Sequence, residues 1–441
     1  MKTTVGMVSL GCPKNLTDTE QMLGRLFQSG YQLVGSDDDA EVLIVNTCAF
    51  LEESRSEAAE TIRHYEARKK MGKHKKLIVT GCLPSKDQEK VLANFPLVDG
   101  ILGTNNVADI VKLVESKEDR PAYLDNHWPE AGLGSHDPLA RMLTTPRHRA
   151  YLKISEGCNH TCAFCTIPSI RGGHVSRSIE NILQEAQTLA KAGVKEISLI
   201  AQDSTYYGLD LYKKFMLPQL LQELCGVDGL EWIRVHYAYP DLVSDELIDI
   251  LKQQPKLCHY LDMPLQHISD DILVAMRRRS RGAKIRERLA VLQKAIPDMA
   301  IRTTLIVGFP GENDAHFEEL LQFVREAKFA RLGAFKYSRE PGTPSAEMSN
   351  QVAEEVKEER FHRLMETQRT ISKELNSQMI GRNVQVLVEN RNSGRTYRDA
   401  PDIDGTFIFE STLPAGIKAG SLITAQVRSA SDYDLKGVLV T

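Results

Sequence analysis

Three short aliphatic runs near the start of the chain each end in a cysteine. Val5 to Leu10 runs into Gly11-Cys12-Pro13-Lys14-Asn15, Val42 to Val45 into Asn46-Thr47-Cys48, and Leu77 to Val79 into Thr80-Gly81-Cys82. Each run is followed by a turn and a helix-like segment, the alternation expected of an open parallel α/β sheet. In such a sheet the carboxyl ends of the strands share one edge, where ligands bind, so three thiols distant in sequence converge there. One such cysteine alone reads equally well as a small buried apolar residue; three at equivalent places read as a ligand set. Gly11 and Gly81 are expected to let the backbone turn tightly beside whatever is bound.

A second group of thiols lies in Glu156-Gly157-Cys158-Asn159-His160-Thr161-Cys162-Ala163-Phe164-Cys165-Thr166-Ile167-Pro168. Soft thiolates at this density suit zinc or an iron-sulfur cluster. A closed zinc site needs a fourth ligand, and His160 lies too close in the loop to serve easily. On a 4Fe-4S cube, three cysteines leave one iron without a protein ligand, where a small chelating molecule can bind. The loop follows a strand expected at Tyr151 to Ile154, and further strand patterns recur at Glu196 to Ala201, Trp232 to His236, Tyr260 to Met263, Ile301 to Val307 and Leu332 to Lys336. Six strands with helical patterns between them predict a partly closed parallel barrel with its active centre at the carboxyl ends. That mouth collects Gln202, Asp203, His236, Gln266 and His267, each also readable as a loop hydrogen bonder or a satisfied core group. The loop Ile306-Val307-Gly308-Phe309-Pro310-Gly311-Glu312 has glycines that permit close approach of a ligand, or simply make a strand-to-helix turn.

At 441 residues the chain is long enough for two to four domains, and 42% hydrophobic with 26% charged residues is a globular balance. The net charge of -4 supplies no global basic field for nucleic acid. No stretch has the length of a membrane span or the form of a targeting segment, so the expected location is the cytoplasm, with no membrane partner. There the eight cysteines stay reduced, which points to metal or redox chemistry rather than disulfides. Cys225 and Cys258 belong to neither triad and read as ordinary buried thiols. Prolines and glycines between Glu115 and Arg149, among them Pro121, Pro129, Gly132, Gly134, Pro138 and Pro146, predict a linker. Val352 to Leu375 reads as a largely exposed helix packed through Phe361, Leu364 and Ile371. From Ser377 onward, Val384 to Val388, Thr406 to Phe409 and Leu422 to Val427 predict a small all-β module. The expected divisions are 1–120, a linker over 121–149, 150–376 and 377–441.

Both triads, in this order, resemble the radical S-adenosylmethionine methylthiotransferase family, and the resemblance covers nearly the whole chain. It implies two 4Fe-4S clusters: one on Cys158, Cys162 and Cys165 that binds S-adenosylmethionine, and an auxiliary one on Cys12, Cys48 and Cys82. It also implies a central radical S-adenosylmethionine barrel of six βα units and a carboxyl-terminal TRAM barrel that holds substrate. Phe164, Pro168, Arg171-Gly172, Ile306 and Gly308 resemble family residues at the cofactor site, and Gln202 and Asp203 join them at the mouth. The implied chemistry is reductive cleavage of S-adenosylmethionine to a 5′-deoxyadenosyl radical, hydrogen abstraction from an unactivated carbon, and insertion of a methylated sulfur unit, with electrons from a donor protein.

Charge in the last module bears on the substrate. Arg382, Arg391, Arg395, Arg398, Lys418, Arg428 and Lys436 are balanced by Glu389, Asp399, Asp402, Asp404, Glu410, Asp432 and Asp434. A tRNA-gripping module would carry a basic excess. The acidic loop Arg398 to Gly405 instead suits a basic partner, or is simply solvated. This loop and the Leu10 to Asn15 start resemble the branch of the family that modifies the β-carbon of an aspartate in the twelfth small-subunit ribosomal protein. Two other readings stay open: a tRNA methylthiotransferase acting on a modified adenosine, and a non-catalytic, metal-stabilised factor that binds the ribosome or RNA.

Overall fold

The computed structural model describes residues 2–35, 37–124, 137 and 139–440. Its first sheet has six parallel strands, β1 (Thr4–Ser9), β2 (Gln32–Leu33), β3 (Val42–Thr47), β4 (Lys76–Gly81), β5 (Gly100–Leu102) and β6 (Ala122–Tyr123), in the order β2-β1-β3-β4-β5-β6. β3 is buried along its whole length because helices cover both faces. Ile44 and Ile78 pack on one face against Met22, Leu26 and Ile110; Leu43, Val45, Leu77 and Val79 pack on the other against Ile62, Tyr65 and Phe95. The chain leaves β1 for β2 on one side and crosses to β3 on the other, so the direction of winding reverses between β1 and β3. A ligand crevice opens at such a reversal, and Cys12 and Cys48 follow these two strands. β2, β5 and β6 are too short to stand out as apolar runs, and β6 takes its two residues from the segment expected as linker. The middle of that segment lies outside the described residues.

The second sheet is also wholly parallel. Its strands β7 (Arg149–Lys153), β10 (Glu196–Ile200), β11 (Trp232–Val235), β12 (Leu257–Asp262), β13 (Ala300–Val307) and β14 (Arg331–Lys336) lie side by side in chain order. Alternate residues face opposite sides. Ile197, Leu199, Ile233, Val235, Leu261 and Leu305 join the largest core with the surrounding helices. The other face carries Glu196, Ser198, Arg234, Tyr260, Asp262 and Arg302. Between β7 and β10 a small antiparallel ribbon, β8 (Ser155–Glu156) with β9 (Val175–Ser176), pinches the ends of the second cysteine loop together.

The helix Glu354–Ser377 does bury Leu364 and Ile371, but also Lys357, Arg360, Gln368, Ser372 and Asn376. Polar burial is tolerated because each group finds a partner: Arg360 donates to the Glu312 carbonyl at 3.0 Å and carboxylate at 2.8 Å, and Gln368 to the Phe329 carbonyl at 2.8 Å. Beyond it, β15 (Asn383–Asn390), β16 (Ser393–Arg395), β17 (Phe407–Phe409), β18 (Leu422–Ala430) and β19 (Leu435–Leu439) form a closed barrel in the order β15-β16-β17-β19-β18. β16 and β19 were not expected; their glycines hide the alternation that marked the other strands.

Three carboxylates of the acidic loop are paired within the chain. Asp399 pairs with Arg331, both Asp402 oxygens accept from Arg149 at 2.8 Å, and Asp404 accepts from Tyr260 at 2.8 Å and lies 3.5 Å from Arg302. Beside it, Arg395 reaches Glu196 at 2.5 Å and Arg234 lies 3.0 Å from the same carboxylate. The loop plugs the polar face of the second sheet, and the pairings span sequence distances that no local pattern reveals.

Burial alone would raise the Glu196 carboxyl, yet Arg395 and Arg234 hold it at about 2, below its ordinary 4.5. Because the folded value is the lower one, this stabilisation is complete above about pH 4.5 and is lost as pH falls toward 2. Glu196→Gln leaves two buried guanidinium groups without their counter-charge and is expected to cost about 3 to 5 kcal/mol in denaturant unfolding. It should also remove the Glu196 share of the acid-dependent stability between those pH values, leaving that of carboxylates such as Glu389.

Candidate active site

Cys12 is the residue before the helix Pro13–Gln28, which opens on a proline whose missing N–H costs nothing at a first helical turn. Gly11 has φ +91°, and a Cβ there would lie 2.7 Å from the Cβ of Cys48, so only glycine lets the first two cysteine turns approach so closely. Asn15 ties these turns together. Its amide donates to the Leu10 carbonyl at 3.0 Å and the Thr47 carbonyl at 2.9 Å. Thr47 in turn donates to the Thr80 carbonyl at 2.6 Å, which sets the turn to Cys82. Burial pushes the Cys82 thiol up to about 12, against the pull of the Arg171 guanidinium 3.6 Å from its sulfur.

The second triad sits in the loop between β8 and β9. Backbone N–H groups of His160 and Ile167 donate to the Cys158 and Cys165 sulfurs, each at 3.4 Å, and Arg278 reaches the Cys162 sulfur at 3.7 Å. Burial raises the Cys158 thiol to about 11 and the Cys165 thiol to about 12. His160 turns away from the thiols: its Nε2 is 2.6 Å from Asp203 and its ring stacks on Tyr239 at 4.1 Å.

Among the described residues no group of three or more His, Cys, Asp or Glu side chains is arranged to hold a metal ion. Three sulfurs with N–H and guanidinium donors around them, each free to take a different iron, fit the donor set of an iron-sulfur cluster.

A buried polar network joins the triads. Arg171, 1% exposed, lies 2.8 Å from Glu156, 3.2 Å from Asp18 and 2.5 Å from Asn15. Lys153 bridges the same two carboxylates, at 2.8 Å from Glu156 and in closer contact with Asp18. Burial would raise the Glu156 carboxyl, but Arg171 and Lys153 hold it far below the usual carboxylate range. Lys14, also buried, lies over the Tyr237 ring at 3.6 Å, and desolvation pulls its ammonium below the ordinary value. Tyr237 holds this place with φ +60°, rare for an aromatic residue and a mark of a constrained site.

The residues expected to line the cofactor fall into two groups. Phe164 meets Phe309 edge-on at 6.4 Å, Ile306 is buried with Phe309 and Met276, and Pro168 opens the short helix Ile167–Arg171. Gln202 donates to Glu156 while its Oε1 is buried without a hydrogen-bond partner among the described residues. Asp203, by contrast, is occupied by His160, the Thr205 N–H at 2.9 Å and the Thr205 hydroxyl at 2.5 Å. The N–H of Gly308 donates to Glu312 at 2.9 Å, and a Cβ there would meet the Lys357 side chain at 2.3 Å. Its glycine character answers to φ +72° and to the Lys357 side chain. Cys258 is buried and Cys225 half-buried, both away from the triads. Asn15, Asp18, Lys153 and Glu156 had not been singled out. The three-residue spacing of Asn15 and Asp18 on one helix face was the available signal, but nothing in the sequence names Arg171 as their partner.

No helix among the described residues is long and apolar enough to cross a membrane. The chain matches the Radical SAM superfamily over residues 152–324, the uncharacterized protein family UPF0004 over 4–103 and the TRAM domain over 380–440. Among solved structures it resembles the radical S-adenosylmethionine methyltransferase TsrM from Kitasatospora setae, with TM-score 0.58 and 14% identity over 78% of this chain and 77% of that one. The cobalamin-dependent S-adenosylmethionine radical enzyme OxsB gives TM-score 0.52 and 14% identity over 84% of this chain and 56% of that one. These likenesses concern the fold. Sequence relatives are much nearer. The ribosomal protein uS12 methylthiotransferase RimO of Geobacter sulfurreducens is 46% identical over 448 residues, covering 100% of this chain and 99% of the relative. That of a Thermoanaerobacter species is 45% identical over 442 residues, covering 98% and 99%. With identity at this level from end to end, and with the two cysteine triads facing one seam, the chain belongs to the family of ribosomal protein uS12 methylthiotransferases within the radical SAM superfamily.

Proposed function

We propose that this protein transfers a methylthio group to the β-carbon of an aspartate in ribosomal protein uS12. Cys158, Cys162 and Cys165 hold one 4Fe-4S cluster and Cys12, Cys48 and Cys82 a second. It works in the cytoplasm, draws electrons from a separate donor protein and takes the ribosomal protein in preference to tRNA. The observation that carries this reading is the end-to-end identity to relatives named for that reaction. Two thiol triads, one on each sheet and joined through Arg171, support the second cluster.

S-adenosylmethionine with a reduced cluster would supply the radical chemistry that takes hydrogen from an unactivated carbon, and the methyl group. The chain's own residues supply orientation and exclusion of water. Phe164, Ile306, Met276 and Phe309 wall the second triad with apolar surface. Pro168 and the free Oε1 of Gln202 face the cofactor with them, while Asp203 and Gly308 brace the loops behind. Arg171, Lys153, Glu156 and Asp18 lock the two sheets in one relative position, so that carbon and sulfur meet in a fixed geometry.

Anaerobic reconstitution should load about eight irons, four per cluster. With Cys158, Cys162 and Cys165 all replaced by Ala, about four should remain and 5′-deoxyadenosine formation should cease. With Cys12, Cys48 and Cys82 replaced, cleavage should persist and methylthiolation of a uS12 loop peptide, read by mass spectrometry, should stop. A methylthio gain on tRNA and none on the peptide would sink the substrate assignment. Arg171→Met strands the Asp18 and Glu156 carboxylates and should cost about 3 to 5 kcal/mol. Hydrogen exchange should then rise at residues 12–18 and 153–158 together, whereas a change confined to one of these segments would separate Arg171 from the seam.

A further inference from the structure

Between Arg277 and Arg288 the chain carries seven basic residues and one acid, Glu287, although its overall charge is -4. Arg286 and Arg288 pair with Glu326 at 2.6 Å and Asp245 at 2.5 Å. Arg277, Arg279, Arg281 and Lys284 are exposed. Asp270 and Asp271 precede the run, but Asp270 accepts from the Gly282 N–H at 2.6 Å and Asp271 lies 3.5 Å from His316. The 14-residue helix Gly282–Ala295 begins within the run, so the positive end of its dipole adds to the same field. The result is a local basic surface on an acidic protein.

What sets this surface apart is the loop it is built on. The Met276 carbonyl accepts from the Ala163 N–H at 2.9 Å, and Arg278 reaches the Cys162 sulfur at 3.7 Å, so the basic turn packs directly against the second cysteine loop. Tyr239 fastens the two together: its hydroxyl accepts from the Arg279 N–H at 3.2 Å, the Arg278 guanidinium lies over its ring at 4.1 Å, and the His160 ring stacks on it at 4.1 Å. Arg281 folds back to donate to the carbonyls of Arg278, Arg279 and Ser280, which holds its charge over the turn. The cysteine loop itself reaches the surface here, with Asn159 and Thr161 exposed and Cys162 half-buried. On the other side of His160, Tyr206 leads at 5.9 Å to Phe215, which is 45% exposed next to the exposed Lys214. An exposed aromatic ring and a basic turn thus flank the shortest route from solvent to the second triad.

We propose that the turn around Arg277, Arg279, Arg281 and Lys284, with Phe215 beside it, is the docking surface for an acidic one-electron carrier protein. This rests on the reading above that a separate donor supplies electrons to a cluster on Cys158, Cys162 and Cys165, and it says where that donor sits. One electron leaves the carrier's reduced centre, which is oxidised by one, and passes to the group those cysteines hold, which is reduced by one; no proton or atom moves. Transfer falls steeply with distance, so a carrier must sit close to the thiols, and this turn lies against their loop. Opposite net charge draws such a partner in quickly and orients it, while a small, weak interface lets it leave once emptied. A nucleic acid would also be attracted by the charge but would gain nothing from its place beside Cys162.

The test uses the full-length, reconstituted protein and an oxidised 2Fe-2S ferredoxin of net negative charge, with binding read by calorimetry so that no turnover is required. The unaltered protein should bind it, more weakly as salt is raised. Reversing Arg277, Arg279 and Lys284 to Glu should raise Kd about tenfold or more at low salt. Reversing the exposed Lys418, Arg428 and Lys436 of the carboxyl-terminal barrel changes the net charge equally and should leave Kd within about twofold. Arg279→Gln with Lys284→Gln, which adds no new charge, should give a smaller loss in the same direction and guards against misfolding of the triple variant. With dithionite in place of ferredoxin, cleavage of S-adenosylmethionine by the variants of this turn should match that of the unaltered protein. Absence of ferredoxin binding, an equal loss in the barrel variant, an unchanged Kd in both variants of the turn, or a fluorescent RNA oligomer that binds at this turn while ferredoxin does not would each overturn the proposal. Failure of Cys158, Cys162 and Cys165 to load iron would instead bring down the cluster reading on which it rests.

Discussion

Arg171 is the group on which the arrangement of the molecule most depends. Its guanidinium is almost wholly removed from water and touches Glu156 from the β8–β9 ribbon, Asn15 and Asp18 from the first helix, and the sulfur of Cys82. A buried guanidinium is stable only with complete neutralisation and good geometry, and several kcal/mol are lost if one partner is withdrawn. Each side of the seam is therefore incomplete without the other. The same residue lies one position before the glycine whose carbonyl accepts from the Cys158 N–H, at 3.1 Å, so the ionic seam and the cysteine loop share a short piece of backbone.

The second polar assembly lies on the same face of the second sheet, further toward the amino ends of its strands. There Glu196, Arg234, Tyr260 and Arg331 meet Arg395, Tyr397, Asp399 and Asp404 of the carboxyl-terminal barrel and its loop. A parallel sheet normally covers both faces with apolar helices. Here one face is polar, and a loop of complementary charge satisfies it. From Asp404 the contacts run through Arg302 to Asp262 and on to His236 near the mouth. The carboxyl-terminal barrel is thus part of the wall behind the site as well as a surface beside it.

How the site would choose its substrate follows from what is left over. Most buried charge at the seam is cancelled internally, which holds geometry and contributes no selectivity. The Gln202 Oε1, buried without a hydrogen-bond partner among the described residues, is one polar atom there that is left over. Unsatisfied buried polar groups are costly and uncommon in native proteins, so an atom of this kind beside Glu156 is a place where a ligand can complete the structure.

Much was legible in the sequence because its signals are local. Aliphatic runs of strand length ended in cysteine at three equivalent places, and the Cys158, Cys162 and Cys165 spacing compressed three ligands into one loop. Those features determined the parallel α/β class, the strand positions near Val42 and Glu196, and both candidate ligand sets. The strands at Gly100, Ser393 and Leu435 were not legible, since short or glycine-bearing segments carry little periodicity. The acidic loop was legible only as charge. Whether Asp399, Asp402 and Asp404 faced a partner or this chain's own Arg331, Arg149 and Tyr260 depended on contacts across hundreds of residues. The same holds for Gly308, which answers to Lys357, and for Asn15, Asp18 and Glu156, which answer to Arg171. Local periodicity and ligand spacing are written along the chain and determine elements and chemistry. Which buried charges cancel and which remain open is a property of three-dimensional proximity, and only the tertiary structure decided it.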